Sequence, residues 1–194
     1  MRKALFRDKD KCMSCMACLV ACKVKHQSAP FPVSPPEAEP RGINRVNVFQ
    51  IGPFIEGEKV FQFFQPISCM HCADAPCITA CPVSAIYKDN EYGITLVRPV
   101  RCIGCRACLW ACPFGAPSFD EAGKLALCDM CIDRLREGKK AACEAACQAG
   151  AIKTGNAQDI AVLQARKAIE RIKESVNLAQ TVGQSNLPIN NKKI

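Results

Sequence analysis

Cys69-Met-His-Cys72-Ala-Asp-Ala-Pro-Cys77-Ile-Thr-Ala-Cys81-Pro82 and Cys102-Ile-Gly-Cys105-Arg-Ala-Cys108-Leu-Trp-Ala-Cys112-Pro113 are the stretches that decide how this chain is built. The second is the run C-x2-C-x2-C-x3-C-P without a gap, and the first is the same run with its middle spacing widened to four. Three cysteines in a tight loop wrap one corner of a cubane iron-sulfur centre, while the fourth, set off by three residues and followed by proline, ligates the neighbouring centre. Two such runs back to back therefore make one unit with two centres.

Two more runs flank them. Cys12-x2-Cys15-x2-Cys18-x3-Cys22 has the same spacing with Lys23 in place of proline, a minor loss because proline there only stops a helical turn. Cys128-x2-Cys131, eleven residues and Cys143-x3-Cys147 form the fourth. All 16 cysteines fall into four sets of four, with none left over. After the fourth cysteine the sequences Pro-Val-Ser-Ala, Pro-Phe-Gly-Ala and Gln-Ala-Gly-Ala share a small residue and an alanine, which marks an internal repeat and a recurring tight turn. Exchange of fourth ligands leaves two partitions open, one sequential and one nested. The central pair fits in 44 residues, whereas 46 residues separate the first run from the second, so size favours nesting. Nesting groups Cys69, Cys72, Cys77 and Cys112; Cys102, Cys105, Cys108 and Cys81; Cys12, Cys15, Cys18 and Cys147; and Cys128, Cys131, Cys143 and Cys22.

Composition excludes several classes. At 194 residues the chain suits one ordinary domain or two small ones. Its cysteine content reaches that of disulfide scaffolds, but the spacing is that of metal ligands, and Met1 to Lys11 lack the apolar core of a signal peptide. A cytoplasmic location is expected, with export alongside a signal-bearing partner as the alternative. No apolar run is long enough to span a membrane. The formal charge of +8 counts cysteines as neutral; each cluster with its four thiolates adds about −2. Four clusters cancel the excess, so a nucleic-acid partner is not indicated.

The fold class expected is α+β: two ferredoxin-like dicluster units in nested arrangement, built from short strands and helical turns, with a C-terminal helix and tail. Residues 1–22 with 124–156 form the outer unit and residues 68–123 the inner one. Residues 4–7, 43–51, 59–64, 85–87, 94–97 and 124–127 read as strands. In the insertion, 23–67, five prolines from Pro30 to Pro40 dictate an extended first part, and a hairpin follows whose Phe61, Phe63 and Phe64 either cover the clusters or pack on themselves. From residue 157 the apolar positions Val162, Ala165, Ile169, Ile172, Val176 and Ala179 recur at helical period, predicting a helix over 157–179 with Asn156 as N-cap. Such a stripe either packs on the chain's own body or docks on a neighbouring subunit or a second copy. The polar tail, 181–194, reads as an arm, which makes 157–194 a helix and interaction arm.

The order of the four motifs, with the widened second and the long spacer in the fourth, resembles the four-cluster electron-transfer subunits of molybdenum and tungsten oxidoreductases, such as formate dehydrogenase and the polysulfide and dimethyl sulfoxide reductases. Related small iron-sulfur proteins serve carbon monoxide dehydrogenases, hydrogenases and tungsten aldehyde oxidoreductases. The resemblance covers about residues 5 to 155 and implies nested pairing and four 4Fe-4S clusters, since the third motif keeps all its cysteines. It also implies a catalytic partner of molybdenum or tungsten pterin type and a second redox subunit or carrier. No substrate chemistry of the chain's own is expected: there are two histidines, of which His71 reads as a surface neighbour of a cluster and His26 as solvent-exposed, and no phosphate loop or nucleophile elbow. Trp110 reads as packing beside a cluster. A free polyferredoxin shuttle and a zinc-binding module are the competing readings; four cysteines crowded into eleven residues suit a cubane better than a zinc ribbon.

Overall fold

The structure is a computed structural model that describes residues 1–26 and 43–183. The proline-rich part of the insertion and the tail beyond 183 lie outside these residues. Within them, four two-stranded antiparallel sheets are joined by short helices. β1 (Lys3–Arg7) pairs with β8 (Ile152–Asn156), in register from Lys3 opposite Asn156 to Arg7 opposite Ile152. β2 (Val46–Glu56) and β3 (Lys59–Ser68) form the long hairpin of the insertion. β4 (Ile86–Lys88) pairs with β5 (Thr95–Val97), and β6 (Ser118–Phe119) with β7 (Leu125–Ala126). Every expected strand is present, although the first strand of the long hairpin begins at Val46 and not at residue 43, while the two strands run on to Glu56 and Ser68.

Short helices carry the cysteines. These are α1 (Ala17–Lys25), α2 (Pro76–Thr79), α3 (Ala107–Ala111), α4 (Ile132–Arg136) and α5 (Ala142–Ala145). Where proline follows Cys112, α3 stops at Ala111; where Lys23 stands instead, α1 runs on past Cys22, and the His26 N–H donates to the Cys22 carbonyl at 3.1 Å. The missing proline therefore has a consequence. The extra turn brings Lys25 to Asp133 at 2.7 Å and His26 to Asp129 at 3.3 Å, tying the first motif to the fourth.

Two small apolar clusters make the core. One gathers Ala85, Ile86, Ala116, Leu125 and Leu127 about Cys69, Cys102 and Cys108; the other gathers Leu5, Leu19, Val46, Ile94, Met130 and Ile152 about Cys18. Cysteine supplies much of both, so little apolar area is buried outside the cysteine loops. The insertion covers this core with the base of its hairpin, where Val46, Pro66 and Ser68 are buried. Phe61, expected to supply that cover, is exposed, and Phe63 stacks instead on Phe54 with ring centroids 6.2 Å apart.

α6 (Ala157–Gly183) begins where expected. Its first turn is held by the Ala157 N–H on the Arg2 carbonyl at 2.9 Å, and Asn156 reaches Asp159 through Nδ2 at 3.1 Å while its Oδ1 accepts from Lys3. Among the residues of this helix whose burial is described, 157–176, only Ile160 is buried, against Gly155. Further along, Lys167 meets Asp8 at 3.2 Å and Arg171 meets Asp10 at 3.1 Å. The charged side faces the body, and Val162, Ile169, Ile172 and Val176 are exposed.

Candidate metal centres

The repeat seen in the sequence is a repeat of backbone geometry. The residue two positions after each first cysteine is left-handed: Ser14 (φ 56°), His71 (φ 47°), Gly104 (φ 73°) and Met130 (φ 54°). Three of the four are not glycine, and each accepts roughly 1–2 kcal/mol of strain to curl the loop. Gly104 is required where it stands, because a Cβ there would lie 2.8 Å from the Gly123 carbonyl oxygen. A second left-handed residue follows the fourth cysteine at Ser84, Gly115 and Gly150, closing the predicted turn by N–H bonds to the carbonyls of Cys81, Cys112 and Cys147 at 3.2, 3.3 and 3.1 Å.

These loops bring distant cysteines together. One cavity is lined by Cys22, Cys128, Cys131 and Cys143, a second by Cys12, Cys15, Cys18 and Cys147, and a third by Cys81, Cys102, Cys105 and Cys108. The remaining four are also neighbours. The charges that raise the Cys77 thiol, after burial, are those of Cys112 and Cys72, and Cys69 is acted on by both Cys77 and Cys72.

Backbone N–H groups are aimed at the sulfurs. His71, Met130 and Ala142 donate to Cys69, Cys128 and Cys131 at 3.4 Å; Ala85 and Ala151 donate to Cys81 and Cys147 at 3.2 Å, and Leu125 to Cys102 at 3.3 Å. Burial pushes the Cys69 and Cys143 thiols up to about 12 and those of Cys108 and Cys131 to about 11. Burial raises Cys81 too, but the N–H groups of Ala85, Val83, Ile86 and Ser84 outweigh it and bring that thiol down. Thiolates in such places need a compensating cation, and metal binding must displace their protons.

His71 departs from its expected surface position. It is 2% exposed, and the Thr95 N–H donates to its Nδ1 at 3.0 Å, which leaves the proton on Nε2. Burial, then Lys88 and Arg7, lower its pKa to about 3, so the ring is neutral. Its Nε2, like the Nε of Arg7, is shielded from solvent and has no protein acceptor. Buried donors without acceptors are rare. Sets of four thiols, N–H groups converging on sulfur and two orphaned donors nearby are the surroundings that a sulfide-bearing 4Fe-4S cluster satisfies. Two other expectations change. His26 is largely buried against Asp129, whose carboxyl burial would raise but this contact holds low. Trp110 is 88% exposed, away from the packing assigned to it. His26 reaches Asp129 because its own helix, α1, runs on past Cys22, which spacing alone does not show.

Two family models, each described as a 4Fe-4S dicluster domain, match residues 60–157 and 11–85. The chain belongs to the 4Fe-4S dicluster family. It is 39% identical over 169 residues to a sulfite dehydrogenase subunit of Allochromatium vinosum, an alignment that spans 80% of this chain and 69% of that one. It is 31% identical over 208 residues to the formate dehydrogenase iron-sulfur subunit of Wolinella succinogenes, spanning 95% and 96%. It is 37% identical over 154 residues to the thiosulfate reductase electron transfer subunit of Salmonella typhi, spanning 78% and 74%. Two dicluster domains give four clusters, which 16 cysteines suffice to hold. This dicluster protein is an iron-sulfur electron-transfer subunit of an oxidoreductase and not its catalytic subunit. Among the described residues no helix is long and apolar enough to cross a membrane.

Proposed function

We propose that the chain is a fixed wire in which the cysteines hold four 4Fe-4S clusters in the nested partition. The first site is Cys69, Cys72, Cys77 and Cys112; the second is Cys102, Cys105, Cys108 and Cys81. The third is Cys12, Cys15, Cys18 and Cys147, and the fourth is Cys128, Cys131, Cys143 and Cys22. The three cavities described above support three of these sets, and the mutual influence of Cys77, Cys112, Cys72 and Cys69 supports the other. Bound there, each cluster supplies one-electron redox chemistry at a potential set by hydrogen bonds to sulfur, burial and local charge.

The order of the sites follows from their neighbours. Cys108 is acted on by Cys77, Cys69 by Cys128, and Cys143 by Cys18. These contacts support a row from the Cys102 site through the Cys69 and Cys128 sites to the Cys12 site. One observation carries the reading of a relay: only Cys105 and Cys15 are exposed, and they belong to the two ends of that row. Apolar surface accompanies each, with Val100, Ile103 and Trp110 near Cys105 and Met13, Val20 and Val24 near Cys15. Two ends that both offer a sulfur and apolar surface suit two partners.

One partner is a catalytic oxidoreductase subunit, which we assign to the molybdenum or tungsten pterin type from the resemblance of the motifs and the names of the relatives. The other is a second redox subunit or carrier. The inner unit runs from residue 68 through Leu127, slightly beyond the sequence boundary, because Leu125 donates to Cys102 Sγ and packs with the inner apolar cluster. The outer unit is then 1–22 with 128–156, joined by β1 and β8. The outward apolar seam of α6 supports an arm that docks on a neighbouring subunit. We place the assembly in the cytoplasm, or exported with a signal-bearing partner.

Anaerobic purification of the tagged chain from its own cells tests the reading. About sixteen iron per chain and a co-purifying subunit that carries molybdenum or tungsten are expected. Zinc without iron would remove the relay, and a lone iron-loaded monomer exchanging electrons unaided would favour the shuttle.

A further inference from the structure

Arg7, the last residue of β1, lines the cavity of Cys22, Cys128, Cys131 and Cys143. Its guanidinium is hooked at one end: Nη2 donates to Ser68 Oγ, and Nη1 to Met70 Sδ at 3.4 Å. Ser68 and Met70 flank Cys69, so Arg7 stands where the inner and outer cysteine sets meet. Its Nε is buried without a partner. Among the described residues no carboxylate pairs with it; Asp129, in the same cavity wall, is occupied by His26 at 3.3 Å. The anionic groups that act on Arg7 are Cys128, Cys143, Cys18 and Cys69, drawn from three of the four sets. A guanidinium stays protonated. Holding its buried Nε end away from water without a counter-charge is costly, and a group bound by the neighbouring cysteines would supply that counter-charge.

We propose that Arg7 is the potential-setting cation of the wire, raising the reduction potential of the cluster held by Cys22, Cys128, Cys131 and Cys143. Reduction adds one negative charge to that site. A fixed positive charge across a poorly solvated wall favours the reduced form, and the free Nε–H is a further donor for sulfur. The hook on Ser68 and Met70 holds the charge in place against the cavity wall. The other basic side chain in this wall, His26, is turned to Asp129, so the effect falls to Arg7.

This inference rests on the ligand assignment above, and iron counting separates the two. The experiment uses the full-length iron-loaded protein with Arg7→Gln and Arg7→Lys. Iron is counted first, and each variant is then titrated redox-potentiometrically with electron paramagnetic resonance detection. Arg7→Gln is expected to keep about sixteen iron and to lower the midpoint of one cluster by tenfold or more in its redox equilibrium, about 59 mV for one electron. Arg7→Lys should recover most of that. Unchanged midpoints in a fully loaded Arg7→Gln protein would overturn the proposal, as would a Lys variant shifted as far as Gln. If Gln does not load, Lys decides: full loading at a near-native midpoint supports the role of charge, and iron loss in both variants makes Arg7 a structural support and overturns it. Wild-type protein short of iron at the fourth site would indict the assignment instead.

Discussion

In the nested partition proposed above, the inner and outer halves use the same cysteine motif but close it differently. The inner half is contiguous, with its two ligand loops joined by the β4–β5 hairpin and backed by β6–β7. The outer half must bring Lys3 opposite Asn156 before its loops can meet, a closure across most of the chain. It does so on the inner half as a platform. The tip of the β4–β5 hairpin accepts from the Met1 amine through the Glu91 carbonyl at 3.1 Å and from the Lys3 N–H through the Tyr92 carbonyl at 2.9 Å. It also holds Arg136 of α4 on Asp89 and Glu91, at 3.0 and 3.1 Å. Ile94, at the same tip, is fully buried in the outer half's apolar cluster. On that partition the difference predicts a hierarchy in which the local half assembles alone and the end-to-end half is laid upon it.

The sharpest way to break this picture is to remove the ligands that cross between motifs. Cys22→Ala and Cys128→Ala, made singly and together, should each abolish one cluster, and the same one. Iron then falls from about sixteen to about twelve per chain in all three proteins. A double variant with about eight iron would place Cys22 on another cluster and exclude nesting. Next in size is an attack on the closure alone. Leu5 is buried in β1 among the outer apolar residues, and Leu5→Asp loses its packing and buries a carboxylate without a partner, on the order of 3 kcal/mol or more. The outer clusters should be lost while the inner pair persists, leaving about eight iron. Loss of all four would mean that the halves fold as one unit.

Much of this was legible because the ligands and the turns are local. The spacing of Cys102 to Cys112 reports a cluster loop directly, and the small residues at Ser84, Gly115 and Gly150 report the turn after it. The strands 4–7 and 94–97 could be read from their pattern, yet that β1 would lie on β8, and that Ile94 would serve the outer half, could not, because pairing between chain ends leaves no local mark. His71 was misjudged for a related reason. A histidine between two ligands carries no sign of burial in its own sequence; the Thr95 N–H that fixes its ring comes from 24 residues away. Arg7 looked like the charged end of a strand, and only the cavity it lines gives it a role. The left-handed residue two places after each first cysteine is a signal in principle, but Ser, His and Met at three of the four sites hide it.

The smallest expected effect on the chain itself lies where the helix leaves the outer half. α6 touches the body at Ile160, which packs against β8, and then through Lys167 and Arg171 on Asp8 and Asp10. The Arg171–Asp10 pair is exposed and contributes little to stability, whereas Asp8 is buried and relies on Lys167 as its counter-charge. The seam of Val162, Ile169, Ile172 and Val176 contributes nothing to the cysteine sites, since it faces away from them. A chain ended after Gln164 keeps Ile160 and the first turns, and should keep about sixteen iron with a thermal transition lowered by the loss of Lys167 from buried Asp8, while losing its neighbouring subunit on size-exclusion chromatography of the assembled complex. An unaltered complex would show that the seam is not the docking surface. A truncated chain that stays in the complex but no longer pairs with itself would assign the seam to a second copy. Loss of the outer clusters on this truncation would show that β1 and β8 do not close the outer half without the helix laid across them, and the hierarchy would gain a third tier.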